Sequence, residues 1–211
     1  VDPRRIIITP GASGAIQLAI SSLLDAGDNV LLSDPGYPCN RNIAQVLATE
    51  AVSVPVDAES YYQLSAELVQ KHWNERTRAA MVATPSNPTG TVLPVEQLKE
   101  LDRCVAGKGG TLIVDEISQG LVYDGNDSTA LSVADDCFVI NSFSKYFGMT
   151  GWRVGWMVVP ESYVDAIDRI AQNIFLAPPT ISQHAAITAL QEDVQHEHDR
   201  RRDEFRQRRD F

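Results

Sequence analysis

The sequence predicts an α/β fold of three layers, α/β/α, in which helices cover both faces of a mostly parallel central sheet. Short runs rich in valine, isoleucine and leucine alternate along the chain with amphipathic helical patterns, as they do when a crossover helix follows each parallel strand. The chain has 211 residues, enough for one large domain, and 44% of them are hydrophobic. We find no internal repeat and no sign of a second complete domain.

The β-strands are predicted from short runs of β-branched and other apolar residues. The clearest signal is the alternation of Val52, Val54 and Val56, which is typical of a strand with one buried face. The predicted strands cover residues 6–8, 30–32, 52–56, 79–83, 111–114, 137–140 and 154–159.

Helices are predicted between these strands from apolar residues at helical spacing. In the first helix Ile16, Ala19, Ile20 and Leu23 fall on one face. Gly107 is expected to end the fourth helix. The predicted helices cover residues 16–24, 42–47, 64–73, 95–105, 162–175 and 180 onward, and the charged run 191–209 is interpreted as a solvated helix with Glu–Arg pairs.

The charge and cysteine content exclude several classes of protein. Lys and Arg number 18 against 28 Asp and Glu, a net charge of −10, which argues against general nucleic-acid binding. No apolar stretch approaches the ~20 residues that span a bilayer, so no membrane segment is expected. We see no secretory signal, and the three separate cysteines show no metal-binding or redox pattern, so a cytoplasmic location is expected.

Both ends of the sequence fall beside or inside predicted elements. The chain opens just before a strand and closes within a charged helical run that has no stop signal. We therefore expect the sequence to be a segment of a longer polypeptide.

Polar and glycine-rich motifs follow the predicted strands at their carboxyl ends, where open α/β sheets bind ligands. After the first strand, residues 9–15 form a small-residue turn into a helix, and Ser13 adds a hydroxyl. Such a helix start suits an anion, although a simple tight turn explains it equally well. After the second strand, residues 34–38 present Tyr37, either to a flat ligand or to local packing.

The loops after the fourth and fifth strands each carry one polar residue in a constrained place. Asn87 lies between two prolines, and the Asn87–Pro88 bond is a candidate cis peptide. This loop either positions the Asn87 amide or is a rigid connection. Asp115 stands at the end of the fifth strand, where a buried carboxylate needs a cation unless it caps the next helix.

The loop after the sixth strand combines Ser142, Ser144 and Lys145, and Arg153 follows in a Gly-Trp-Arg sequence. Hydroxyl donors and a guanidinium suit a phosphate dianion. Lysine is also the residue that forms imines with carbonyl compounds. A polar surface loop is the alternative interpretation of this segment taken alone.

In this order, on successive strand ends, these motifs resemble those of the class I/II aminotransferases, the fold-type I pyridoxal-phosphate enzymes. The resemblance runs from Ile6 to the end of the chain, and the Ser-x-Ser-Lys…Gly-Trp-Arg segment at residues 142–153 is similar to the family's lysine signature. It implies that residues 1–211 form the large domain that binds pyridoxal 5′-phosphate. The family's N-terminal arm and small C-terminal domain would lie outside this sequence.

The resemblance also implies a role for each motif residue. Lys145 would form the Schiff base with the cofactor and then carry the proton between Cα and C4′. Asp115 would pair with the pyridine nitrogen, Asn87 would donate to the phenolic oxygen O3′, and Tyr37 would stack on the ring. The phosphate would be held by Ala12, Ser13, Ser142, Ser144 and Arg153.

One position departs from the family pattern. The family has a tyrosine three residues after the aspartate, and this sequence has Ser118 there. A serine hydroxyl has a shorter reach than a phenol, so Ser118 is expected to act on O3′ only through water. Tyr123 is expected on the following strand and not as a substitute.

The resemblance implies amino-group transfer between an amino acid and a 2-oxo acid in a homodimer. The family's carboxylate-binding arginine and its partner-subunit tyrosine lie outside this sequence, so the segment alone is expected to bind the cofactor and turn over poorly. Alternatives on the same scaffold are a C–S lyase, a decarboxylase or a cyclopropane-carboxylate synthase. A regulatory domain would be marked by a winged-helix domain upstream, and an inert structural fragment is disfavoured by the intact motif residues.

Overall fold

A seven-stranded sheet organises the computed structural model, which describes residues 1–125 and 127–211. The strands are β1 (Ile6–Thr9), β2 (Asn29–Asp34), β3 (Glu50–Pro55), β4 (Thr77–Ala83), β5 (Thr111–Asp115), β6 (Phe138–Ser142) and β7 (Gly155–Val158). Their order is β1-β7-β6-β5-β4-β2-β3. Neighbours from β2 to β6 pair in parallel, and β7 runs antiparallel to both β6 and β1. Every strand except β7 therefore ends at the same edge of the sheet.

Helices cover both faces of this sheet, which confirms the predicted three-layer α/β/α fold. The helices are α1 (Gly11–Leu23), α2 (Pro38–Val46), α3 (Ala66–His72), α4 (Val95–Gly107), α5 (Val164–Ile174), α6 (Thr180–Ala189) and α7 (Glu192–Asp210). One buried cluster joins the sheet to α1, α2 and α5, and a second joins its other face to α3 and α4.

Strand β5 shows how the two clusters share one sheet. Ile113 points into the first cluster, while Leu112 and Val114 point into the second, and all three are at most 1% exposed. A strand buried on both faces reads as a continuous apolar run, which is the pattern that predicted it. Polar residues of such a strand can reach solvent only beyond its ends.

The predicted strands are all present, and the helix predictions differ mainly at their ends. Helix α1 begins at Gly11 rather than at residue 16, because its first turn consists of small residues that carry no apolar stripe. Helix α4 ends at Gly107, as expected, although the left-handed residue of the stop lies two residues later. Gly107 is still helical, and the left-handed residue is Gly109 (φ 75°), whose N–H bonds the carbonyl of Ala106, while Gly110 N–H bonds that of Val105.

Across residues 1–125 and 127–211, none of the helices combines the length and the apolar character needed to cross a membrane.

Gly110 allows the end of α4 to pack closely on α3. A Cβ atom there would lie 2.3 Å from the Trp73 ring and 2.7 Å from the backbone oxygen of Arg78. We expect Gly110→Ala to lower the free energy of unfolding by about 1–3 kcal/mol, because the backbone cannot give way to the added methyl. Gly107→Ala is the matched control, since a Cβ there meets nothing within 4 Å. Equal urea midpoints for the two variants would contradict this reading.

Candidate active site

A cavity of about 360 Å³ opens at the shared edge where β1, β2, β4, β5 and β6 end. This volume lies within the range of small-molecule sites. Each of the five motif loops contributes to its lining, so the fold brings together side chains that are distant in sequence. The predicted residues that line it are Ala12, Ser13, Tyr37, Asn87, Asp115, Ser118, Ser144, Lys145 and Arg153.

Arg153 lies against the first turn of α1. Gly11 makes this approach possible, because a Cβ atom there would lie 2.5 Å from Arg153 Nη2. Arg153 adopts a left-handed backbone conformation (φ 50°), which is strained for a residue with a side chain. Its guanidinium donates to the carbonyl oxygen of Thr150 at 3.0 Å and approaches that of Pro10 at 3.5 Å. Within the described residues it has no carboxylate partner, so its charge is available to an anion.

Ser142 is the predicted contact residue that the structure does not bring into the cavity lining. It is 1% exposed, and its hydroxyl oxygen lies 2.9 Å from Ser144 Oγ and 3.1 Å from the carbonyl oxygen of Val154. It also accepts the Ser144 N–H at 3.1 Å. Ser142 therefore holds Ser144 in place through these hydrogen bonds, and of the two serines only Ser144 lines the cavity.

Asp115 is the buried carboxylate of the site. Its side chain accepts the Ile117 N–H at 3.0 Å, and the residue is 4% exposed. Burial raises the pKa of Asp115 to about 6, against the opposing effects of the Ile117 bond and the positive charge of Lys145. A carboxylate in this environment gains strongly from a cation placed beside it.

The loop that carries Asn87 is stiff and closed on itself. The predicted cis bond at Asn87–Pro88 is confirmed, and Asp34–Pro35 and Thr84–Pro85 are also cis. Ser86 N–H bonds the carbonyl of Thr91 at 2.9 Å, and Gly90 N–H bonds the carbonyl of Ser86 at 2.8 Å. Asn87 itself is exposed at the cavity.

Gln63 also holds this loop, and sequence reasoning missed it. Its buried amide nitrogen lies within hydrogen-bond distance of Ala83 and Thr91. Gln63 belongs to the segment between β3 and α3, and no local pattern marks it as a site residue.

Tyr37 immediately precedes α2 and lies at the mouth of the cavity, where it is 44% exposed. The neighbouring Cys39 side chain is the main cause that raises the pKa of Tyr37, and burial adds to it. Because Tyr37 lies at the mouth of the cavity, its ring can cover a flat ligand bound there.

Ser118 lines the cavity, and Tyr123 does not. The expectation that Tyr123 lies on a following strand was wrong, because it belongs to an irregular segment after β5. The guanidinium of Arg209 in α7 lies 5.0 Å from its ring centroid.

Helix α7 supports the loop that carries Lys145. The predicted solvated helix is mostly exposed, but its His198 is 5% exposed and contacts the rings of Tyr146 and Phe147. Tyr146 donates to Asp199 at 2.7 Å. Lys145 itself is exposed and lines the cavity beside these anchored neighbours.

Comparison with known proteins agrees with this geometry. All of residues 1–211 match the family model described as aminotransferase class I and II. The chain belongs to this family.

Among its curated relatives in the family, the chain is 41% identical over 192 residues to the valine–pyruvate aminotransferase of Mycobacterium tuberculosis, covering 90% of the chain and 49% of the relative. It is 34% identical to the (5-formylfuran-3-yl)methyl phosphate transaminase of Methanocaldococcus jannaschii, covering 98% and 54%. The chain thus spans about half the length of the curated relatives it matches.

Solved aminotransferase structures share the fold. A crystal structure of an aminotransferase from Mycobacterium tuberculosis superposes with a TM-score of 0.90 at 40% identity, covering 94% of this chain and 55% of that one. An aspartate aminotransferase mutant from Thermus thermophilus gives 0.94 at 31% identity, covering 100% and 59%.

Glu116 lies next to Asp115 in this aminotransferase-family chain but outside the cavity lining. It is 2% exposed, and its carboxylate accepts the Ala130 N–H at 2.6 Å and the Thr129 hydroxyl at 2.9 Å. Burial raises the pKa of Glu116 from 4.5 to about 7, with smaller contributions from Asp127 and Asp115, against the bonds from Ala130 and Thr129.

We expect Glu116→Gln to remove part of the pH dependence of stability. The raised pKa means that the folded protein binds the Glu116 proton more tightly than the unfolded chain, so its stability falls as pH rises from about 4.5 to about 7. Urea unfolding should show similar stabilities for wild type and variant near pH 4.5. Near pH 8 the variant should gain on the order of 1–3 kcal/mol relative to wild type. A constant difference across this range would show that Glu116 does not titrate there.

Proposed function

We propose that the whole protein is a pyridoxal-phosphate-dependent aminotransferase, with residues 1–211 as its large cofactor-binding domain. The observation that carries the proposal is the convergence of Lys145, buried Asp115 and Arg153 on one cavity. Relatives named as valine–pyruvate, aspartate and arginine–pyruvate aminotransferases support transfer of an amino group between an amino acid and a 2-oxo acid.

The donors in the cavity fit a phosphorylated pyridine aldehyde. The start of α1 offers backbone N–H groups and Ser13, the Arg153 guanidinium lies beside this helix start, and Ser144 lines the same cavity. The absence of a Cβ at Gly11 is what leaves room for the guanidinium beside this helix start. We assign the phosphate to these groups, with Ser142 holding Ser144 in place.

When bound, pyridoxal phosphate supplies an aldehyde that combines with amines and a ring that accepts the electrons of a broken bond at Cα. Asp115, a buried residue of the cavity lining, would hold a proton on the ring nitrogen, since a carboxylate of pKa about 6 is ionised near neutral pH and needs a cation there. Asn87 would donate to the phenolic oxygen, and Tyr37 would cover the ring.

Lys145 would act as the base and acid of the reaction. Its side chain is exposed and lines the cavity, where it would take the proton from the substrate Cα and deliver it to C4′ of the cofactor. The anchored neighbours Tyr146 and Phe147 keep the backbone of this loop in one place.

The proposal includes a homodimer in the cytoplasm, supported by the family resemblance and by the separate, unpaired cysteines. No observation on the described residues favours the lyase, decarboxylase, cyclopropane-carboxylate synthase or regulatory alternatives. The names of the similar proteins support transamination.

Lys145 should be the attachment point of the cofactor. We expect the purified protein to develop a saturable visible absorption band with pyridoxal phosphate, and borohydride reduction to place the pyridoxyl label on the Lys145 peptide. Lys145→Arg, which keeps the charge, should abolish both. A label spread over Lys71, Lys99 and Lys108 in place of Lys145 would contradict the assignment.

Ser118 should tune the cofactor differently from the family tyrosine. In Ser118→Tyr we expect the phenol to donate to the phenolic oxygen of the cofactor, lowering the pH midpoint of the visible band and changing the turnover of the full-length protein by about three- to tenfold. Ser118→Ala is the control, because it removes the hydroxyl without introducing a side chain long enough to reach the phenolic oxygen of the cofactor. If Ser118→Tyr leaves both the midpoint and the turnover unchanged, the tuning hypothesis fails.

A further inference from the structure

One buried amide joins both ends of the loop that carries Asn87. Gln63 is 3% exposed, and its Nε2 lies 3.1 Å from the carbonyl oxygen of Ala83, the last residue of β4. The same nitrogen lies 3.0 Å from the carbonyl oxygen and 3.2 Å from the hydroxyl of Thr91, just after the loop. The two N–H groups of Gln63 therefore fasten the entry and the exit of residues 84–90.

The loop depends on such bonds at its ends. Its internal bonds run from Gly90 to Ser86 and from Ser86 to Thr91, and Leu93 N–H bonds the hydroxyl of Thr84 at 2.9 Å. Among the described residues the Asn87 side chain has no hydrogen-bond partner. The direction of its amide is therefore set by the backbone of the loop, and hence by what holds that backbone.

The turn before Gln63 is strained. Tyr61 and Tyr62 both have φ of 54°, a left-handed conformation that costs free energy in residues with side chains. The turn is closed by Ser60 N–H on Asp57 Oδ1 at 3.0 Å and by Tyr62 N–H on the Asp57 carbonyl at 2.7 Å. Strain of this kind is retained where surrounding contacts fix the conformation, and here the turn directs Gln63 inward.

We propose that Gln63 is a positioning residue for the cofactor: it holds the loop so that the Asn87 amide meets the phenolic oxygen of pyridoxal phosphate. This inference rests on the proposed function. It makes the segment between β3 and α3 part of the site, although none of its residues lines the cavity.

Gln63→Glu tests the proposal with almost no change of size. The carboxylate has no N–H to donate and faces two carbonyl oxygens, so the loop should open. We expect the dissociation constant of pyridoxal phosphate, measured by titrating the visible band, to rise about five- to tenfold. Hydrogen exchange at Ser86 and Gly90 should become faster without the cofactor.

Asn29→Asp is the matched control. Asn29 is also a buried amide, 1% exposed, but it lies at the start of β2 at the opposite edge of the sheet and donates to Asn74. This variant should lose stability while keeping the wild-type affinity for the cofactor.

A double-mutant cycle separates positioning from general loosening. If Gln63 acts through Asn87, Gln63→Glu should change the affinity less than about twofold in an Asn87→Ala background. An equal loss of cofactor affinity in both backgrounds, or wild-type affinity in Gln63→Glu, would overturn the proposed role of Gln63. Either result would leave the proposed function intact. Failure of the wild-type protein to bind the cofactor at Lys145 would overturn the proposed function and this role with it.

Discussion

The side chains of the central strands are buried on both faces of the sheet. The protein can therefore present polar groups to a ligand only where a strand ends. Because every strand except β7 ends at the same edge, this constraint collects the polar loops in one place. The ends are also bonded to one another. Thr84 N–H bonds the carbonyl of Asp115, and Glu116 N–H bonds that of Ile140. The site is thus an extension of the sheet and shares its rigidity.

Charge is distributed unevenly across this edge. The start of α1 and Arg153 form a positive end of the cavity, while Asp115 is a buried negative group. Under the proposed function, the phosphate of the cofactor would meet the positive end and its protonated ring nitrogen would meet Asp115. Neither group alone would fix the orientation of the ligand, whereas both together would.

Local patterns in the sequence predicted the strands, the α/β/α layers and the residues that line the cavity. Asp115 was predictable because it ends an apolar run, and most of the other lining residues because their loops follow such runs, whereas Arg153 was predicted from the Gly-Trp-Arg sequence before β7. Gln63 and the His198 contact were missed because they act through partners far away in sequence, where no periodicity connects them. Ser142 was placed in the cavity because sequence shows that two serines flank Phe143, but it cannot show which hydroxyl faces inward. Gly109 was missed because two neighbouring glycines offered equivalent stops.

The packing of His198 between Tyr146 and Phe147 has a consequence for the evolution of the chain. Most positions of α7 are exposed and can exchange one charged residue for another at little cost. Residues 198 and 199 contact the loop that carries Lys145 and are under a different selection, because a change there disturbs the aromatic rings of Tyr146 and Phe147 beside Lys145. We therefore expect related sequences to vary freely along this helix and to keep residues 198 and 199 nearly fixed.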